Sequence, residues 1–237
     1  MEAVAKKSLL GCMVKTPGAS LVKTRLAASV GNAQATAIYL ACVAQMRTLM
    51  HSLDPTQWQC SWAVAESKAQ IKDHAIDNAI WSDLPQIFQG KGGLGARMAS
   101  VIHQSGVEYW SSFLIGADCP QITVQDLEAG RALLEGNDPC DVVFGPAHDG
   151  GFWLVGLRLQ IPIAIWDSVE YSTHSALSDL CKALQEWKPD IKISTQDLPL
   201  LTDIDLFSDV AQAESQMNAH TLKLWNQKLQ TQQMNKQ

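Results

Sequence analysis

Two acidic motifs offer the clearest chemistry in this sequence. The first is Ile115-Gly116-Ala117-Asp118-Cys119-Pro120. The second is Gly145-Pro146-Ala147-His148-Asp149-Gly150-Gly151-Phe152-Trp153-Leu154-Val155-Gly156. Each follows an apolar run of strand length, SSFLI or CDVVF, so each sets a carboxylate where a strand gives way to a turn. In open α/β sheets that edge is where ligands bind. Two carboxylates with glycines beside them suit a divalent metal and a phosphorylated substrate. Mg²⁺ takes one or two protein carboxylates and completes its shell with phosphate and water, and glycine lets the backbone come close to a ligand. Asp118 is thus a candidate metal ligand and catalytic carboxylate. A turn aspartate satisfied by backbone N–H groups is the competing reading, with equal weight from position alone. Asp149 could bind metal, orient an acceptor hydroxyl or act as general base. Asp-Gly is also the strongest hairpin signal, and both readings hold if the turn makes the shape while the carboxylate does the chemistry. His148 reads as an exposed loop residue, and the other histidines lack zinc-type spacing.

Positive charge comes from the loop Lys15-Thr16-Pro17-Gly18-Ala19-Ser20-Leu21-Val22-Lys23-Thr24-Arg25. It leaves the first strand and enters a predicted helix, whose N-terminus favours anions. Lysine offers phosphate a point charge and arginine a bidentate fork. Alone, Lys15, Lys23 and Arg25 read more readily as a solvated basic loop, because the spacing is not that of a P-loop. Set against the acidic motifs, anion binding becomes the better reading. The cluster Gly90-Lys91-Gly92-Gly93-Leu94-Gly95, followed by Arg97, could cradle a ribose, base or phosphate, or be a flexible connection. Gly150 and Gly151 would bring backbone to the same ligand. Asp203 and Asp205 form a late acidic pair that either completes the metal site or caps the last helix. Tyr171 and Ser172 could line an acceptor pocket, although Ser172 or Thr173 reads better as a helix cap. Of the eight tryptophans, Trp153 alone sits beside these motifs.

The elements that must position these residues alternate. Strands are predicted at 8–14, 60–66, 111–116, 140–145, 152–157 and 190–195. Helices are predicted at 33–53, 68–81 (weak), from the glycine cluster to His103, from the capping box at Thr123–Asp126 to about Leu134, at 173–187 and at 205–229. Only the DGG turn separates two strands, which predicts an antiparallel pair. The whole predicts a mainly parallel sheet covered on both faces. Residues 1–225 read as one domain and 226–237 as a Gln-rich tail that frays.

Bulk properties limit the partners. The 237 residues carry 46% hydrophobic side chains and a formal charge of −6, with a pI near 5.4. An acidic chain is a poor non-specific nucleic-acid binder. The six cysteines, scattered and without a C-x-x-C pair, argue against a disulfide framework and for a reducing compartment. No segment reads as a secretion signal or reaches the ~18–20 apolar residues of a membrane span. A cytoplasmic protein of unknown oligomeric state is expected.

The blocks VKTRLA (22–27), LGARM (94–98), IGADCP (115–120), GPAHDGGFWLVGL (145–157) and TDID (202–205) occur in the order of one bacterial group. Over roughly residues 8–210 the chain resembles the radical-SAM/selenodomain-associated transferase 1 group, some members of which are called arsenosugar-biosynthesis glycosyltransferases. The resemblance implies the nucleotide-diphospho-sugar transferase superfamily and the glycosyltransferase-A fold, a Rossmann-like three-layer α/β sandwich. It also implies a nucleotide-sugar donor, a small-molecule acceptor and Mg²⁺ or Mn²⁺. By that resemblance Asp118 lies near metal and diphosphate, Lys15, Lys23 and Arg25 form the phosphate loop, Asp149 faces the transfer site, and Asp203 and Asp205 add metal contacts. The chain departs from the group's pattern at Ser20, Gly93, Ala96 and His148, where glycine, two acids and a glutamate are usual. Three functions follow for test: a metal-dependent glycosyltransferase, a nucleotidyltransferase that releases pyrophosphate, and a nucleotide-binding protein without catalysis.

Overall fold

The computed structural model describes residues 7–67, 69–70, 78–105 and 108–234. Strand β1 (Ser8–Val14) is buried along nearly its whole length. A strand covered on both faces needs apolar residues at every position rather than alternate ones. It pairs in parallel with β2 (Trp58–Val64) on one side and β4 (Ser112–Gly116) on the other. Beyond β2 lies β3 (Gln86–Phe88), also parallel. On the other flank β6 (Phe152–Leu157) runs antiparallel between β4 and β5 (Val142–Pro146), and β7 (Ile193–Ser194) pairs in parallel with β5. The order is β3-β2-β1-β4-β6-β5-β7, a mainly parallel mixed sheet as the sequence predicts. β3 was not predicted, because three residues with two exposed side chains make no apolar run.

Helices cover both faces. Helices α2 (Asn32–Ser52) and α4 (Val124–Glu135) pack on one, through Tyr39, Val43, Met46 and Leu127 against Leu10, Cys12 and Phe113. On the other lie α3 (Leu94–Ser105), α5 (Ile163–Asp167) and α6 (Ala176–Trp187), with Met98, Ile102, Trp166 and Leu180 against Leu114, Phe144 and Val155. Phe113 and Leu114 point to opposite clusters, as strand alternation requires. The predicted capping box opens α4: Thr123 Oγ1 accepts from the Asp126 N–H at 3.2 Å, and Asp126 Oδ2 accepts from the Thr123 N–H at 2.8 Å.

The loop after β1 leads into α1 (Thr24–Val30), which ends at Gly31, where α2 begins. Two turns of helix contribute little dipole, so the positive field of this loop rests on its side chains. The single predicted C-terminal helix is two, α7 (Phe207–Ser215) and α8 (Ala219–Met234), and Asn218 Oδ1 caps the second by accepting from the Thr221 N–H at 2.8 Å. Helix α8 passes through the expected fraying point at Asn226 and continues to Met234. The reason is tertiary. Trp225 is fully buried against α2 residues including Ile38 and Cys42, and Lys228 Nζ donates to Gln45 Oε1 and Thr48 Oγ1 at 2.7 and 2.8 Å. Of the predicted weak helix at 68–81, residues 68 and 71–77 lie outside the described residues, and Asn78–Trp81 form a single 3-10 turn.

Asp83 ties α2 to the sheet. Its carboxylate accepts from Arg47 Nε at 2.9 Å and Trp62 Nε1 at 3.0 Å, and pairs with His51 Nε2 at 3.0 Å. Burial opposes the charge, but the bonds from His51, Arg47 and Trp62 outweigh it and hold the carboxyl down at about 2. An unfolded aspartate titrates near ~3.9. The stabilisation is therefore complete above roughly pH 4 and lost as pH falls through 2. Asp83→Asn should cost about 1 kcal/mol at pH 7, with mutant and wild type converging near pH 2, as read by urea unfolding at both pH values.

Candidate active site

Strands β1, β4 and β5 end at the same edge of the sheet, where a cleft of about 780 Å³ opens, within the usual range for small-ligand sites. Its floor is the exit of β1. The Lys15 N–H donates to Tyr39 Oη at 2.9 Å, and that hydroxyl donates to the Lys15 carbonyl at 2.8 Å. The Thr16 N–H donates to Glu66 Oε2 at 2.8 Å, and Trp81 Nε1 donates to Thr16 Oγ1 at 3.0 Å. These buried side chains fix the loop's start and leave the Lys15 side chain exposed at the cleft. Tyr39 was missed from sequence, since an aromatic inside a helix carries no sign of what its hydroxyl will meet.

The charged centre joins three distant segments. Lys23 Nζ lies 2.8 Å from Asp118 Oδ2 and 3.0 Å from Asp205 Oδ1, with only 6% of its side chain exposed. Arg25, far more exposed, lies 3.4 Å from Asp205 Oδ2. Burial disfavours the ammonium, but Asp118 and Asp205 outweigh it and hold Lys23 above its ordinary pKa. Burial likewise opposes the Asp118 carboxylate, and Lys23 reverses the balance and lowers its pKa. Among the described residues Asp203 has no such partner. Burial and the charge of Asp118 push its carboxyl up to about 7, and its one hydrogen-bond donor among the described residues is the Cys119 thiol, 2.5 Å away. The Cys119 thiol is itself pushed well up by burial and Asp203, so it remains protonated.

The late acids reach this centre because their segment is pinned. Leu201 bridges Ala147, and the Ile204 N–H donates to the Asp118 carbonyl at 3.0 Å. They do not cap the helix that follows. Asp209 does, its Oδ2 accepting from the N–H groups of Asp205 and Leu206 at 3.0 and 2.6 Å. One oxygen each from Asp118 and Asp203, together with Cys119 Sγ, lie within 4.8 Å of one another. With the thiol protonated, the donors on offer are carboxylate oxygens, the set preferred by Mg²⁺ and Mn²⁺ rather than by thiophilic metals. A divalent cation here would also favour the charged form of Asp203, which burial and Asp118 now oppose, so the residues fit one.

The DGG turn forms the opposite wall. Asp149 is exposed and lines the cleft, with its Oδ1 accepting from the Gly151 N–H at 2.8 Å. The Trp153 indole is buried beneath, donating to the Pro199 carbonyl at 2.9 Å. The rim holds Gly92, Gly93, Arg97, Gly151, Tyr171 and Ser172. Arg97 Nε donates to the Gly92 carbonyl at 3.0 Å, and the Tyr171 hydroxyl to the Trp166 carbonyl at 2.9 Å. Neither Ser172 nor Thr173 caps α6. Its N-cap is Ser175, and Ser172 instead takes a left-handed φ of 65° in the cleft wall.

Two of the predicted ligand glycines are closely approached by carbonyl oxygens. A Cβ on Gly95 would fall 2.4 Å from the Trp166 carbonyl oxygen, so its hydrogen lets α3 close on α5. A Cβ on Gly150 would fall 2.0 Å from the His174 carbonyl oxygen, and its φ of +87° disfavours any side chain. Gly93, by contrast, has open space. Gly150→Ala should lose about 1–3 kcal/mol and several degrees of Tm, whereas Gly93→Ala leaves Tm within a degree or so; thermal unfolding by circular dichroism checks both.

With the geometry in place, the chain can be compared with known proteins. Across 96% of its length and 98% of the other chain, the structure superposes on the putative nucleotide-diphospho-sugar transferase of Desulfovibrio desulfuricans G20, at a TM-score of 0.77 and 20% identity. A cytidylyltransferase from Leptospira borgpetersenii serovar Hardjo-bovis gives 0.51 at 10% identity, covering 97% of this chain and 94% of its own. A 4-diphosphocytidyl-2C-methyl-D-erythritol synthase gives 0.51 at 6% identity, covering 91% and 100%. At these identities the likeness is one of fold, and it is the three-layer α/β fold expected from sequence. No curated protein matches the chain by sequence. A family profile does match residues 48–173, more than half of the chain and both acidic strand ends. The chain therefore belongs to the DUF2064 family, described as uncharacterized proteins conserved in bacteria.

Proposed function

We propose that the protein is a metal-dependent glycosyltransferase that moves a sugar from a nucleotide diphosphate to a small acceptor. One observation carries the reading: Lys15, Lys23 and Arg25 share a single cleft with Asp118, Asp149, Asp203 and Asp205, at the carboxyl ends of β1 and β4. Order along the sheet reverses between those two strands, the usual place for a nucleotide in such folds. The likeness to the Desulfovibrio protein, and the resemblance to the radical-SAM/selenodomain-associated transferases, support a sugar-nucleotide donor.

In this reading the sugar's anomeric carbon loses its bond to the diphosphate oxygen and gains one to an acceptor hydroxyl. Negative charge grows on the departing diphosphate, where Lys15, Lys23 and Arg25 would stabilise it. Asp149 would receive or orient the acceptor's proton. Asp118, with Asp203 and Asp205, would hold Mg²⁺ or Mn²⁺, which when bound supplies Lewis-acid charge at the diphosphate. Gly92, Gly93, Arg97 and Gly151 would border the donor, and Tyr171 and Ser172 the acceptor.

The second reading is a nucleotidyltransferase, favoured by the Leptospira cytidylyltransferase that shares the fold at a TM-score of 0.51. Products separate the two. Incubated with a panel of nucleotide sugars and Mn²⁺, the wild type is expected to release a nucleoside diphosphate. Asp118→Asn and Asp149→Asn should each lower kcat by about 10²-fold or more. Pyrophosphate release from a nucleoside triphosphate would replace this reading with the second. Nucleotide binding without turnover of either class would leave a binding protein.

A further inference from the structure

The centre of the cleft is already filled. Lys23 Nζ sits between Asp118 Oδ2 and Asp205 Oδ1, at 2.8 and 3.0 Å, on a side chain only 6% exposed. An ammonium and a divalent ion cannot share that place. A divalent ion held by those same two oxygens, at roughly 2.0–2.1 Å for Mg²⁺, would take the ammonium's place, and the two cations would repel strongly in a half-buried setting.

Lys23 also holds an unfavourable backbone. Its φ of 47° and ψ of 51° are left-handed, a conformation that sterics disfavour for any residue but glycine. Among the described residues only Ser172 shares a positive φ without being glycine, and both line the cleft. Just before Lys23, Val22 packs against the core, but the backbone around it is irregular. Residues 21–23 have no regular structure, and Leu21 is 79% exposed. Local conformation does not favour this pose; the two carboxylates do.

We propose that Lys23 is a resident cation that keeps the metal position closed. Its ammonium leaves Asp118 and Asp205 when the diphosphate of a nucleotide offers it another anionic partner, and a divalent cation then enters between those carboxylates. The proposal rests on the donor reading above and adds an order to it: nucleotide first, metal second. Metal and nucleotide would each raise the other's affinity, because binding coupling is reciprocal. Without an anion, metal entry must break both Lys23 ion pairs with no diphosphate there to take the ammonium. Asp203 stands beside this position as a third carboxylate, its hydrogen-bond donor among the described residues being the Cys119 thiol.

The experiment is a Mn²⁺ titration of the nucleotide-free protein, read by electron paramagnetic resonance of free Mn²⁺. Wild type should bind Mn²⁺ alone only weakly, in the millimolar range. Lys23→Gln keeps a donor between the acids without the charge, and Lys23→Met removes both; each should bind Mn²⁺ at least tenfold more tightly. Adding Asp205→Asn to Lys23→Gln should abolish that gain. Thermal unfolding provides a second readout, with Mn²⁺ raising the Tm of Lys23→Gln more than that of wild type. Tight Mn²⁺ binding by wild type without an anion overturns the proposal, and this arm needs no variant to fold. Equal affinity in wild type and variants, or no binding by any of them, overturns it as well, and so does a gain that survives Asp205→Asn. Sugar transfer by wild type without any gain in the variants would sink the resident cation alone. The gain without transfer or nucleotide binding would sink the donor reading alone.

Discussion

One ammonium among three carboxylates holds the working edge of this protein together. Asp118 comes from the end of β4, and Asp203 and Asp205 from a segment far along the chain. Bringing them side by side would be unfavourable without a cation, since like charges in a half-buried site raise one another's energy. Lys23 bonds to two of the three, and the third shows what its absence means: Asp203, with no cation bonded to it among the described residues, is driven by burial and by Asp118 toward the protonated form. A buried charge cluster of this kind adds little net stability and is costly when one member is lost. Its presence here is therefore not explained by stability alone.

The sheet is arranged so that this cluster can form. β6 runs antiparallel to both β4 and β5, so β4 and β5 are parallel to each other and end at the same edge as β1. The loop with Lys15 and Lys23, the loop with Asp118 and the hairpin with Asp149 thus open side by side. The late acids join through backbone pairing, Leu201 to Ala147 and Ile204 to Asp118, rather than through a strand of their own. The wall opposite is closed by two glycines that let Trp166 and His174 approach the backbone within side-chain distance.

Much of this was legible in the sequence, for identifiable reasons. Strands buried on both faces must be apolar throughout, so β1, β2, β4, β5 and β6 appear as runs. β3 and β7 are short and partly exposed, and leave a faint trace or none. Asp118 and Asp149 were visible because each ends such a run. Asp203 and Asp205 could not be told from helix caps, because a carboxylate two to four residues before a helix suits either role; only the bonds made by Asp209 decide it. The packing at Gly95 and Gly150 was hidden for a similar reason: a missing Cβ makes room equally well for a ligand or for a neighbouring carbonyl. The Lys23 pairing and the Tyr39 clamp depend on contacts between segments far apart, which local pattern does not encode.

Helix α2 has apolar residues on two sides, one set against the sheet and another, including Ala35, Ile38, Ala41 and Cys42, against Trp225 and its neighbours in α8. The second set is complete by Cys42, long before its cover around Trp225 is made. At about 5–20 residues per second, that greasy stripe stays wet on the ribosome for on the order of ten seconds or more. During that interval the nascent chain displays a surface that a chaperone, or another nascent chain, can occupy before α8 does.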